Sequence, residues 1–359
     1  MKLSELRIGN LTAKVPIVQG GMGVGISLSS LAGAVALNGG VGVISGVEIG
    51  FNEPDFLKNK KEANLRALKA HIKKAREICK KGVIGVNIMA ALNNFEEMVI
   101  ESVKEKIDMI FSGAGLPLKL PQLTKGSDTK IAPIVSSARA AALICRAWDK
   151  HYQVAPDAVV VEGPLAGGHL GFSVEELDKP THQLEEILRD VLETLKPFEE
   201  KFKKKIPVIA GGGVFTGMDI ANILYAGASG VQMATRFVAT HECDASGEFK
   251  QAYIDAKEED VEIIQSPVGM IGRAIRNNFL DEVKAGIKKP IRCLCNCLKP
   301  CNPLKAPYCI ADALINAQRG NLKNGFAFVG ANVFRIKKMV SVKELMEELV
   351  SEAEKYFNP

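Results

Sequence analysis

One histidine stands apart from the other four in this chain. His169 lies in Ala166-Gly167-Gly168-His169-Leu170-Gly171, just beyond a β-branched run that ends at Glu162. An imidazole ordinarily titrates near neutrality, so a histidine on such a loop can accept a proton from carbon or donate one. Glycines recur in the same setting elsewhere: Gly20 and Gly21 before Met22, Gly113 and Gly115 after Ser112, and the triplet Gly211-Gly212-Gly213. Lacking a Cβ, they let main-chain N–H groups come close to a ligand. The triplet precedes a helix expected to start near Thr216, the arrangement that binds a phosphate. His71, His151 and His182 fall in or beside charged helical segments and read as surface residues, while His241 is left open.

The elements that must position these residues are short and regular. Strands are expected at Val15–Gln19, Val41–Ser45, Ile84–Ile88, Met109–Ser112, Ile131–Ser136, Ala158–Glu162, Pro207–Ala210 and Gly230–Met233. They are nearly continuous apolar runs, as strands covered on both faces by helices are. Amphipathic periodicities separate them, clearest at Leu65, Leu68, Ile72, Ala75 and Cys79 and again at Leu184, Ile187, Leu188, Val191, Leu192 and Leu195. Eight strands spaced about 31 residues apart give the fold class: an α/β chain folded as a (β/α)8 TIM barrel. In that fold the chemistry sits at the C-terminal strand ends, where the glycines and His169 fall, and phosphate commonly sits after strands seven and eight. That makes Gly212, Gly213, Ala234 and Thr235 the expected phosphate cradle.

Composition narrows the class further. The chain has 359 residues, 47% of them hydrophobic, and 46 Lys plus Arg against 41 Asp plus Glu for a net charge of +5. This is a globular composition without the basic footprint of a nucleic-acid binder. The most apolar stretch, Leu31 to Ile44, is broken by glycines well short of the ~20 residues of a membrane helix. The N-terminal residues do not read as a signal peptide, so a cytoplasmic address is expected. There is no G-x-G-x-x-G and no Gly-Lys pair, which points away from dinucleotide and P-loop folds and toward a mononucleotide such as FMN or a phosphorylated substrate.

Taken together, several segments resemble the nitronate monooxygenase (2-nitropropane dioxygenase) family, to which enoyl-ACP reductase II is related. They are Gln-Gly-Gly-Met at 19–22, Gly-Val-Asn-Ile-Met around Asn87, Ser-Gly-Ala-Gly at 112–115, Ala-Gly-Gly-His at 166–169, Pro-Val-Ile-Ala-Gly-Gly-Gly at 207–213, Gln-Met-Ala-Thr-Arg-Phe at 232–237 and Gly-Arg-Ala-Ile-Arg-Asn at 272–277. The resemblance implies non-covalent FMN, with its phosphate on Gly212, Gly213, Ala234 and Thr235 and its ring near Gly21, Met22, Asn87 and Gln232. Ser136, Gly167 and Gly168 are further candidate contacts, and His169 is the implied catalytic base or substrate-orienting residue. Leu165 stands where relatives usually carry an acidic residue, and Ala234 where they carry glycine. The implied reaction is oxidation of alkyl nitronates or nitroalkanes to a carbonyl compound and nitrite with oxygen. The alternatives are an NAD(P)H-dependent reductase of an enoyl thioester, enoyl-ACP or quinone, and a flavin-binding protein without turnover. A small-molecule substrate is expected, with an acyl carrier protein or a second copy of the chain as further partners left open. An IMP dehydrogenase-like chemistry is disfavoured, because no cysteine follows strand six.

Residues 1–260 are read as the FMN-binding barrel, and 261–359 as a helical extension packed on it, with a Cys-rich loop at 290–310. In the extension, Gly269–Lys289 reads as a basic helix, and Ser341 with Glu344 as a capping box opening a final helix. Cys293, Cys295, Cys297, Cys301 and Cys309 follow C-x-C-x-C-x3-C-x7-C. The first four could ligate zinc or an iron–sulfur cluster, but the spacing matches neither a zinc ribbon nor a ferredoxin, and free thiols are the preferred reading. Arg273, Arg276, Lys288, Lys289 and Arg292 read as a solvated face or a docking patch for an acidic carrier.

Overall fold

The computed structural model describes residues 2–179, 182–291, 293 and 297–356. Eight parallel strands close into a barrel in chain order. They are β1 (Ile17–Gln19), β2 (Val41–Ser45), β3 (Val83–Asn87), β4 (Met109–Ser112), β5 (Lys130–Val135), β6 (Val159–Glu162), β7 (Val208–Gly211) and β8 (Gly230–Met233). The ring closes where Val231, Gln232 and Met233 of β8 pair with Ile17, Val18 and Gln19 of β1. The β1–β2 seam has a single register pair, Val18 with Val41. There the Gln19 side chain stands in for the ladder: its Nε2 donates to the Val43 carbonyl at 3.2 Å and its Oε1 accepts from the Val43 N–H at 3.0 Å.

The β-branched runs become strands because both of their faces are covered. Val18, Val43, Met109, Phe111, Val160 and Ile209 fill the barrel interior, fully buried or nearly so. An N-terminal hairpin, Leu6–Ile8 with Leu11–Ala13, adds Leu6, Ile8 and Ala13 to the same cluster and plugs the end where the strands begin. The opposite mouth, where they end, is left for chemistry.

Helices α1 (Ser29–Leu37), α2 (Lys60–Cys79), α3 (Phe95–Lys104), α4 (Ala138–Tyr152), α5 (Leu184–Phe202) and α6 (Gly217–Tyr225) cover the outside. Of the periodic stripe of α5, Leu184, Ile187, Leu188, Val191 and Leu195 are buried and Leu192 is partly so. His71 is less exposed than its charged neighbours suggest; its Nδ1 lies 3.0 Å from Ser29 Oγ and ties α2 to α1. Among the described residues, no helix is long and apolar enough to cross a membrane.

After β8 come α7 (Gly247–Asp255), an antiparallel hairpin of β9 (Val261–Gln265) and β10 (Ile271–Ile275), and helices α8 (Asn278–Lys284), α9 (Ile310–Gln318) and α10 (Val342–Tyr356). The hairpin corrects the expected helix over Gly269–Lys289, of which only α8 is helical. Gly269 takes a positive φ of 82° in the turn, and Ile271 to Ile275 then pair residue by residue with β9. Cross-strand pairing outweighs the helical preference of this basic segment.

The capping box at α10 forms as expected. Ser341 Oγ accepts from the Glu344 N–H at 3.1 Å, and Glu344 Oε2 accepts from the Ser341 N–H at 2.7 Å. The helix packs against both α6 and α1 and so takes a place in the ring of barrel helices. Its Glu352 accepts from the Gly217 N–H at 2.8 Å, and Val342, Leu345, Leu349 and Ala353 join the core shared with the barrel.

Candidate active site

A cavity lies over the C-terminal strand ends and opens to solvent at its mouth. His169 lines it together with Gly21, Met22, Gly167, Gly168, Gly212, Gly213, Gln232, Ala234 and Thr235.

Two expected contacts lie elsewhere. Asn87 ends β3 directly beneath Gly21: a Cβ on that glycine would fall 2.4 Å from the Asn87 Cβ. Asn87 thus sits against Gly21, which lines the cavity. Ser136 donates to the Gly171 carbonyl at 3.2 Å and supports the far end of the histidine loop.

The glycines follow from packing as much as from ligand access. A Cβ at Gly167 would meet the Val329 carbonyl carbon at 2.6 Å, and one at Gly212 the Gly163 main chain at 2.9 Å. Gly212 and Gly213 also have φ values of 103° and 96°, a region side chains avoid. The floor is main chain because three segments meet there too closely for anything larger.

The helix after β7 starts as expected, with Thr216 as its N-cap, but two carboxylates already occupy its start. Asp219 Oδ2 accepts from the N–H groups of Phe215 and Thr216 at 2.9 and 2.8 Å, and Glu352 takes the Gly217 N–H. An anion would meet like charges there, so the expected use of this helix N-terminus for phosphate is corrected. What remains for a phosphate is the Gly212-Gly213 turn facing Ala234 and Thr235, where a short helical turn, Thr235–Val238, begins. Arg236 in that turn is committed to the Phe215 carbonyl and to Glu348.

The histidine is held on two sides. Its Nε2 lies 2.7 Å from Ser266 Oγ, and its ring packs at a 57° tilt on Phe328, with centroids 4.9 Å apart. Burial pushes its pKa down to about 4, so the imidazole is neutral at neutral pH. Glu162, at the end of β6, lines the same cavity, and burial raises its pKa to about 7. The usual order of acid and base is reversed within one cavity. A second carboxylate on the lining, Glu48, is 3% exposed and sits 2.6 Å from Lys60 Nζ; burial raises its pKa against the pull of that lysine.

Reading for glycines and histidines passed over Glu162, although an acidic residue closing a fully buried strand is a visible signal. Glu48 and Ser266 were also missed, as was the tail segment Phe328–Asn332, which forms one wall of the cavity. There the Gly330 N–H donates to Thr235 Oγ1 at 3.1 Å, and Asn332 Nδ2 donates to the Gly213 carbonyl at 2.7 Å.

Arg273 is corrected from a surface cation to a buried one, 7% exposed, whose Nη1 donates to the carbonyls of Pro164, at 2.9 Å, and Ala166. Arg276 and Lys289 pair with Asp281 and Glu282. The Cys-rich loop reaches the cavity through Cys297 and Leu298, the latter bridged to Leu92. Cys295 and Arg292 lie outside the described residues. Among the described residues, Cys293, Cys297 and Cys301 join no group of three or more side chains that could hold a metal.

Comparison with known proteins places this architecture. The nitronate monooxygenase family model matches residues 4–352. The chain belongs to the nitronate monooxygenase family. This family's members are flavin-dependent oxidoreductases, and two solved structures show how far its fold extends over this chain. FabK from Thermotoga maritima is 27% identical, with a TM-score of 0.74 over 96% of this chain and 94% of that one. A nitroalkane oxidase from Streptomyces ansochromogenes, 21% identical, shares the fold with a TM-score of 0.72 over 95% and 96%. Among curated proteins, an octahydroindene-carboxyl-CoA dehydrogenase of Mycobacterium tuberculosis is 27% identical over 76% of this chain and 66% of its own length. A probable nitronate monooxygenase of Staphylococcus aureus strain Newman is 33% identical over 35% of this chain. These matches span just under two thirds of the first relative's length and 34% of the second's.

The residues present fit the FMN that the family implies. A main-chain floor with two positive-φ glycines suits a phosphate, the Gln232 amide can both donate and accept at a ring edge, and the rest of the lining is largely apolar.

Proposed function

We propose that the chain is an FMN-dependent oxidoreductase whose substrates are alkyl nitronates, with a carbonyl compound and nitrite as products and oxygen as the electron acceptor. Gly212, Gly213, Ala234 and Thr235 would hold the flavin phosphate. Gly21, Met22, Gly167, Gly168 and Gln232 would flank the rest of it, with Asn87 and Ser136 supporting from behind. When bound, FMN supplies the electron transfer between substrate and oxygen.

The observation that carries this reading is His169 on the cavity wall, its Nε2 2.7 Å from Ser266 Oγ and its ring against Phe328, where burial favours the neutral imidazole. An imidazole with a pKa near 4 is a poor base toward carbon at neutral pH and a poor source of protons for an enoyl carbon. It remains a good hydrogen-bond donor to the oxygens of an anion that arrives already ionised. His169 would therefore orient the nitronate more than it deprotonates a neutral nitroalkane.

A second reading, NAD(P)H-dependent reduction of an enoyl thioester with an acyl carrier protein as partner, draws on two observations. The likeness to FabK runs over nearly the whole chain, and the distal cavity wall of Met89, Leu298, Ile310, Leu314 and Phe328 suits an apolar chain. Anaerobic absorption spectra of the flavin-loaded protein on adding propane-2-nitronate, NADH or NADPH separate the two. Bleaching by the nitronate alone supports the first reading, and bleaching by a nicotinamide alone overturns it. His169→Ala should retain the flavin and lose roughly 10²-fold in nitronate turnover.

A further inference from the structure

The β9–β10 hairpin holds the histidine loop by three separate devices. Gly272 and Arg273 of β10 pair antiparallel with His169 and Gly168, and the Leu170 N–H donates to the Ile271 carbonyl at 2.9 Å. The Arg273 guanidinium, inside the protein, ties down the carbonyls of Pro164 and Ala166 just upstream of the histidine. Burying a cation away from water is costly, which makes these carbonyl contacts the reason for its place. The turn of the hairpin then presents Ser266.

Ser266 is 3% exposed and its backbone is pinned on both sides. Its N–H donates to the Met270 carbonyl at 2.9 Å and its carbonyl accepts from the Gly269 N–H at 3.1 Å. With the main chain fixed, its hydroxyl keeps only rotation about χ1 and the O–H bond. Among the described residues, the hydroxyl is the partner of His169 Nε2 and none is found for Nδ1. In a neutral imidazole one nitrogen carries the proton and the other accepts, so whether the Ser266 hydroxyl donates to Nε2 or accepts from it decides the role of Nδ1.

We propose that Ser266 is a positioning residue that donates its hydroxyl proton to Nε2 of His169 and thereby selects the Nδ1–H tautomer, leaving Nδ1–H as the donor that meets an anionic substrate. The proposal rests on the nitronate reading for its substrate, though not for its tautomer. A neutral donor suits a nitronate oxygen, and the hairpin, fixed by backbone pairing and by Arg273, keeps the imidazole plane from turning as the substrate arrives. Hydrogen-bond partners that orient metal-bound histidines are worth about tenfold to a hundredfold in metal affinity or activity, and the lower end of that range is expected for this metal-free pair.

The test uses the full chain with FMN bound and its histidines labelled with 15N. The expected result is an Nδ1–H tautomer for His169 in the parent protein, which shifts toward Nε2–H or a mixture in Ser266→Ala. Propane-2-nitronate turnover should fall at least tenfold in Ser266→Ala, chiefly in kcat, and return in Ser266→Thr, which restores the hydroxyl. An Nε2–H tautomer in the parent protein overturns the proposal. So does an Ala variant with unchanged tautomer and kcat, or a Thr variant as impaired as the Ala variant. If the parent protein does not turn over the nitronate, the functional reading fails, and the tautomer measurement still decides the role of Ser266.

Discussion

The two sides of the cavity are built from different material. The barrel side, residues 20–22, 167–168, 212–213 and 232–235, is largely main chain and small groups, with the Gln232 amide and the carboxyls of Glu48 and Glu162 as polar side chains of the same lining. The other side brings Phe249 and Tyr253 from α7 and Leu298, Ile310, Leu314 and Phe328 from the tail. A main-chain surface has little chemistry to vary and suits a constant ligand, whereas a wall of side chains can be exchanged to suit a substrate. The histidine lies between them: the barrel supplies its loop, and the tail, through Ser266, Arg273 and Phe328, fixes its orientation. On the proposed reading the barrel would hold the flavin and the tail would set the substrate.

The sharpest way to break that division is at Gly213, on the barrel side. A carboxylate there would face the phosphate position, in a backbone conformation with φ of 96° and with Leu165 carbons 3.0 to 3.1 Å from the new Cβ. Gly213→Asp should abolish flavin retention while the chain stays folded. The yellow absorbance of the purified variant, beside its far-ultraviolet circular dichroism, checks this. A folded variant with full flavin content would remove the proposed cradle.

How much of this was legible in the sequence follows the same division. The eight strands could be read because each is a β-branched run buried on both faces, and the histidine loop because glycines and a lone histidine follow one such run. Boundaries moved by only one or two residues, as at β3, which starts at Val83 instead of Ile84. The tail was harder for a physical reason. Ser266 lies 97 residues from His169, and only the pairing of Gly168 and His169 with β10 brings them together. Residues 271–275 alternate too briefly to announce a strand against their helical neighbours. The capping box and apolar stripe of α10 were visible, but nothing local said that the stripe would face α6 and α1.

A second expectation sharpens the comparison on the tail side. If α10 is a member of the barrel ring, its removal should cost as much as any core truncation. Leu349 is fully buried between α10 and the barrel core. Leu349→Ala should destabilise the protein by about 2–5 kcal/mol, read as a lowered urea midpoint at unchanged slope. A cost below about 1 kcal/mol would mean that the helix only rests on the barrel.

The smallest expected effect is the most specific, because it pits the two titrating groups of the cavity against each other. Burial raises the pKa of Glu162 from 4.5 to about 7 and lowers that of His169 from 6.5 to about 4. For Glu162 the folded state holds the proton more tightly than the unfolded chain, so its stabilising contribution is full below about pH 4.5 and is lost as pH rises through 7. For His169 the unfolded chain takes the proton first, so stability present above pH 6.5 is lost as pH falls toward 4. Between about pH 4.5 and 6.5 the two slopes oppose each other, each worth at most a few kcal/mol at ~1.4 kcal/mol per pKa unit. Melting temperatures of the flavin-free protein at pH 5 and pH 7 should therefore differ little on account of this pair. Glu162→Gln should uncover the histidine's slope and make the protein relatively less stable at pH 5, and His169→Gln should do the reverse. If Glu162→Gln leaves the pH profile unchanged, Glu162 is ionised at pH 5 like an ordinary surface carboxylate, and the cavity is wetter than its lining implies. If both variants shift in the stated directions, barrel-borne Glu162 and tail-oriented His169 share one desolvated space, the condition under which a neutral histidine can serve an anionic substrate.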